Sequence, residues 1–285
     1  MKIIAKIVKS QPINMGGIEM KQPLPANGIE HLDPFLLIQH GAGTIASGSD
    51  YKKLGVGPHP HRGFSPVTFI FKGSIHHRDS MNNSAVVTEG GTQWMHAGKG
   101  INHSERPGVE LAKNGGESEI VQFWVNSPTA NKMDVPFYQP ISKEDTPIVK
   151  KQNAEIAVVA GEFEGVTGPA KVLTPQILLR MMSQEGDAFS FNIPEHFNCL
   201  IYLLDGKMEI NGQEVNAEEM LFFELKGTHI EIKTHQDTRA MLLSGEPINE
   251  PIASYGPFVM NTQTEIMQAL KDSQQGKMGI LIENF

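Results

Sequence analysis

The sequence predicts an all-β protein: two similar β-barrels or sandwiches in tandem, followed by a short C-terminal helix. Three observations predict it. Helical periodicity is scarce, while short apolar runs bounded by Gly, Pro or Asn recur along the chain. The 285 residues include Gly 28 and Pro 18, enough turn residues for many short elements. The first half carries FIFKGSIHHRDS and the second YLLDGKMEINGQ, each an apolar strand, a charged residue, a glycine and another strand.

Each element has its own signal. Residues 67–71 (VTFIF) end at Lys72-Gly73, residues 85–88 at Glu89-Gly90-Gly91, and residues 120–125 (IVQFWV) at Asn126-Ser127-Pro128. Pro128, Pro136, Pro140 and Pro147 then punctuate a linker, which suggests domains over residues 1–135 and 136–285. The second half offers strands at 156–160, 176–182, 199–204, 207–210, 220–223, 230–233 and 240–243, with Asn211-Gly212 as a hairpin turn. The helix is expected after Thr262. Thr262 to Glu265 forms a capping-box pattern, Ile266 and Leu270 share a face, and Gly276 can end the helix.

Composition narrows the function classes. Lys+Arg 24 against Asp+Glu 32 gives a net charge of −8 without a basic block, so no direct nucleic-acid contact is expected. The single cysteine, Cys199, permits no intramolecular disulfide. The N-terminal MKIIAKIVKSQP has no signal-peptide core, and no apolar run approaches the ~20 residues of a membrane span. The expectation is a soluble cytoplasmic protein.

The chemistry is carried by GPHPHRG at residues 57–63. On an extended strand, residues i and i+2 point to one side, roughly 6.5–7 Å apart, so His59 and His61 face together. In GKGINHSERP, His103 and Glu105 have the same spacing. If the two segments lie side by side, three imidazoles and one carboxylate converge. That donor set suits a first-row divalent metal with open positions, the mark of a catalytic site. Either pair alone also fits an ordinary surface or turn histidine. His76-His77 lie on an alternating run, so at most one faces inward, and both stay outside the ligand set. Phe64, Trp94 and Met95 flank the ligand segments as pocket wall or plain core, while Trp124 reads as structural.

GVGPHPHRGFSPVTFIFKGSIHHRDS followed by GGTQWMHAGKGINHSERP resembles the paired cupin motifs of the pirin family. The likeness continues through DPFLLIQH, FWVNSPTANKM, AGEFEGVTGPA and GEPINEPIASYGPFVMNT, in order over nearly the whole chain. It implies a bicupin: two tandem cupin (jelly-roll-like) β-barrels, with metal in the N-terminal one only. The ligands it implies fall on His59, His61, His103 and Glu105. Fe(II) is the metal expected first, with Mn, Ni, Cu or Zn as alternatives. The implied activity is that of a quercetinase, an oxidoreductase opening flavonols such as quercetin with O2 and loss of carbon monoxide, with Glu105 as base. The alternative is a metal- and redox-sensing regulator acting through a protein partner. The sequence departs from the family pattern at Ser65-Pro66, where Glu-Thr is usual, so the strand is expected to start at Val67. His40 and His96 are also unusual, and are read as loop histidines or as neighbours of the pocket mouth. The second half has one histidine in Glu195-His196-Phe197-Asn198 and is expected to lack metal.

Overall fold

The computed structural model describes residues 1–26 and 28–283. Its regular elements are almost all antiparallel strands, as expected. Two compact units emerge, each formed from two stretches of chain. One contains Met1–Gln39 and Glu144–Ile248, the other His40–Lys143 and Asn249–Phe285. One division between the units falls at 143/144, within the proline-rich segment, and each terminal segment groups with the unit built mostly from the other half of the chain. The physical reason is strand pairing: Ile4–Lys9 is an edge strand beside Glu219–Phe223, a pairing of very distant residues that no local pattern encodes.

The unit containing Glu144–Ile248 has a seven-stranded sheet, in which Asn198–Asp205 and Thr238–Gly245 are central, and a four-stranded sheet. Its interior is apolar. Ile156, Val158, Leu179, Phe191, Ile201, Leu221 and Leu242 are among the fully buried side chains filling it. Each contributes about 1.5–3 kcal/mol by leaving water. All seven strands expected in this half form. Asn211 (φ 48°) and Gly212 (φ 79°) make the turn between Lys207–Ile210 and Gln213–Asn216.

The second unit carries the histidines. A four-stranded sheet runs in the order Val56–His61, Ile101–Pro107, Ser74–Asp79, Ser84–Thr88. A larger sheet includes, in order, Phe137–Ile141, Thr92–His96, Phe64–Lys72, Gly116–Asn126 and Phe35–Ile45, the strand in which the unit boundary falls. The strand expected from Val67 starts at Phe64 and includes Pro66. Pro66 is tolerated because pairing with Thr92–His96 begins only at Val67, while Gly116–Asn126 on the other side is paired from Phe64 onward.

The expected helix spans Gln263–Gln274. Thr262 accepts from the Glu265 N–H at 3.2 Å, and the Glu265 carboxylate accepts from the Thr262 N–H at 2.8 Å, a complete capping box. Ile266 and Ala269 are buried, with Leu270 packed beside them, and Gly276 follows at φ 70°. A further short helix, Val109–Asn114, was not expected. No described helix is long and apolar enough to cross a membrane.

Candidate metal centre

Strand register assembles the site. In the four-stranded sheet His103 lies opposite His59 on one side and Asp79 on the other, Ile101 lies opposite His61, and Glu105 lies opposite His77. Residues opposite one another across an antiparallel pair share a face. Alternation therefore turns His59, His61, His103, Glu105, His77 and Asp79 inward together.

His59, His61 and His103 form a cluster whose ligand nitrogens all lie within 4.8 Å of one another. Their hydrogen bonds determine how they point. His59 Nδ1 lies 2.8 Å from the Gly57 carbonyl, and His61 Nδ1 lies 3.3 Å from that of Pro257. A carbonyl only accepts, so both Nδ1 atoms carry a proton, and in the neutral rings both Nε2 atoms present lone pairs. Those two Nε2 atoms are 3.1 Å apart. Two lone pairs at that distance repel unless a cation or proton lies between them. His103 Nε2 is buried and has no hydrogen-bond partner. Three neutral imidazoles thus aim unshared lone pairs at one locus, and this donor set fits a divalent metal. Burial, reinforced by His59, lowers the His61 pKa to about 3 against the bond to Pro257. Burial and the neighbouring His59, His61 and His77 hold His103 well below the ordinary imidazole value. Neutral rings are the form a metal requires.

Glu105 shares this face without joining the cluster. Gln93 Nε2 donates to one carboxylate oxygen, and Gln122 Nε2 donates to both, at 3.2 and 2.9 Å. Both glutamines also reach Thr68 Oγ1. The Tyr138 hydroxyl donates to Gln93 Oε1 at 3.4 Å. Burial, aided by the charges of Glu105 and Asp79, raises the Tyr138 pKa, so its phenol keeps its proton.

Of His76 and His77, at most one of which was expected to face inward, His77 does so. Its Nε2 meets Asp79 Oδ2 at 2.9 Å, its Nδ1 faces His103 Nδ1 at 3.4 Å, and its ring stacks on Tyr138 at 3.8 Å. The signal was present: His77-Arg78-Asp79 has the same i, i+2 spacing as the metal pairs. Trp124, expected to be structural, packs at 5.6 Å from His61 and 4.2 Å from Phe64. Trp94 follows Gln93 and so points to the opposite face of its strand. His40 and His96 are not loop histidines. His40 is buried against Glu119 at 3.2 Å, and His96 is buried beside Phe137 with Ser65 at its Nδ1.

Family models for pirin and for the pirin C-terminal cupin domain match residues 17–125 and 178–279. The chain belongs to the pirin family. A pirin-like protein of Caulobacter vibrioides is 34% identical over 279 residues, covering 96% of this chain and 98% of the relative. Pirin-like protein 2 of Arabidopsis thaliana is 32% identical, covering 98% and 84%. Among solved structures, a quercetin 2,3-dioxygenase from Acinetobacter baumannii superposes with a TM-score of 0.93 at 31% identity, over 99% of this chain and all of the other. These neighbours are bicupins, and the pirin described here has that fold.

Proposed function

We propose that this pirin is a metal-dependent dioxygenase that opens quercetin-like flavonols with O2. The observation that carries the reading is the convergence of three Nε2 lone pairs, two of them 3.1 Å apart, on one buried locus. Similarity to the Acinetobacter quercetin 2,3-dioxygenase supplies the substrate class. His59, His61 and His103 would hold the metal, Fe(II) by preference, with Glu105 as fourth donor from the next inward position of the same strand. When bound, such a metal supplies Lewis acidity toward a chelating hydroxyl–ketone pair and redox chemistry toward O2.

The chain's own residues do the rest. Glu105 accepts the proton of the flavonol hydroxyl at a carboxylate oxygen, and Gln93 and Gln122 hold the carboxylate in place. Phe64 and Trp124 form an aromatic wall at the His61 edge, against which a planar ligand can stack. His61 and His103 stay neutral because burial opposes their protonation.

The test is oxygen uptake with quercetin, using protein of verified metal content and His61→Ala as control. Metal-dependent uptake that vanishes in the control supports the reading. No uptake from fully loaded protein refutes the dioxygenase. A protein partner whose binding follows the metal's oxidation state would then point to the regulatory alternative.

A further inference from the structure

We propose that Asp79 and His77 form a positioning pair for the metal centre, fixing the tautomer and direction of His103 and placing a second buried negative charge beside the metal. The inference rests on the metal reading above and assigns two residues that the three-His, one-Glu donor set does not contain.

The third imidazole is supported differently from the other two. His59 and His61 lean on backbone carbonyls, which are neutral and accept by nature. His103 leans on another imidazole, His77, Nδ1 to Nδ1 at 3.4 Å. An imidazole nitrogen accepts only when the proton sits on the other nitrogen of that ring. Asp79 Oδ2, 2.9 Å from His77 Nε2, draws it there. His103 must then donate from Nδ1, which leaves its Nε2 lone pair facing the cluster. The chain of donors runs from His103 Nδ1–H to His77, and from His77 Nε2–H to Asp79.

Asp79 is built to stay charged and still. Its Oδ1 accepts from the Met81 N–H at 2.9 Å and the Asn83 N–H at 3.0 Å, and its Oδ2 also accepts from Asn83 Nδ2 at 2.8 Å. Burial opposes its ionisation, but the bonds from His77 and Asn83 outweigh it and hold the carboxyl below its ordinary range. Tyr138 fixes the His77 ring plane, lying 3.8 Å away at an interplanar angle of 6°. His77, Asp79 and His103 are each at most 3% exposed, so water does not compete for these bonds. Strand register places the pair, since His103 lies opposite Asp79 and Glu105 opposite His77.

Outer partners of this kind typically change metal affinity 10–100-fold. The charge has its own consequence. Three neutral imidazoles with Glu105 and Asp79 balance a divalent ion, so losing the Asp79 charge disfavours the trivalent state.

The test uses the full chain, stripped of metal, as wild type, His61→Ala, His77→Leu, His77→Gln and Asp79→Asn. Co2+ is titrated against a competing chelator while its absorption spectrum is recorded. The iron-loaded proteins are then poised to find the Fe3+/Fe2+ midpoint, and circular dichroism checks folding. His77→Leu should weaken Co2+ binding 10–100-fold. His77→Gln should recover most of it, because its amide oxygen accepts from His103 while its NH2 donates to Asp79. Asp79→Asn should move the iron midpoint to more positive potential. If His77→Leu does not fold, Asp79→Asn still carries the test through its potential. Wild-type affinity, spectrum and midpoint in the His77 and Asp79 variants, with binding lost in His61→Ala, would overturn the positioning pair and leave the metal reading intact. A wild-type protein that binds no Co2+, or a His61→Ala variant that binds it equally well, would overturn the metal reading, and the pair with it.

Discussion

Replacing Glu105 with glutamine separates its charge from its shape. The carboxylate now receives donors from Gln93 and Gln122. An amide at residue 105 offers one accepting oxygen, and its NH2 must face one of those donors. Gln93 can turn its amide only by giving up the bond its Oε1 accepts from Tyr138. The variant therefore loses about one hydrogen bond to a charged group, about 1.5–3 kcal/mol of local stability. Loss of a general base slows turnover by about 10²–10⁴-fold, equivalent to about 3–5 kcal/mol in the barrier. The three imidazoles keep their own carbonyl and His77 partners, so metal should be retained in part. The assay pairs metal analysis with oxygen uptake on quercetin. Metal retained and turnover reduced by at least a hundredfold is the expected result. Full turnover in Glu105→Gln would refute the base role.

Further outcomes follow from the packing. Gly63 sits at φ 85° directly after His61-Arg62, and a Cβ there would lie 2.0 Å from the Val259 carbonyl. Gly63→Ala should lower the melting temperature and weaken metal binding together, as read by calorimetry and metal titration; an unchanged melting temperature would contradict this. Hydrogen bonds from Lys277 and Arg62 hold the Asp272 carboxyl down to about 2. A depressed carboxyl contributes stability above its ordinary pKa and loses it as the pH falls toward the folded value. The melting temperature should therefore drop between about pH 4 and pH 2, less steeply in Asp272→Asn. Burial pushes the Cys199 thiol up to about 12, so a thiol reagent at pH 8 should label it only after unfolding.

Much of the site was legible because strand alternation is strict. His59 and His61, and His103 and Glu105, share a face by spacing alone, and the segments do lie side by side. Alternation does not say which face is the inside. That is why Trp94 was read as a pocket-wall candidate and Trp124 as structural, and why His77 could not be told from His76. Only the pairing of Ser74–Asp79 with Ile101–Pro107 resolves it. The support of Glu105 was hidden for a related reason, since Gln93 and Gln122 come from strands of the other sheet, and amides carry no motif. Pro257 supports His61 from a position 196 residues away, beyond any local pattern. The capping box and the Asn-Gly turn were legible because their geometry is set within four residues.

The most direct test of the central claim is anomalous diffraction at the iron edge from crystals of the full chain, loaded with Fe2+ without oxygen. One peak is expected, about 2.0–2.2 Å from the Nε2 atoms of His59, His61 and His103. No peak among the three rings, or a peak at other residues, would contradict it.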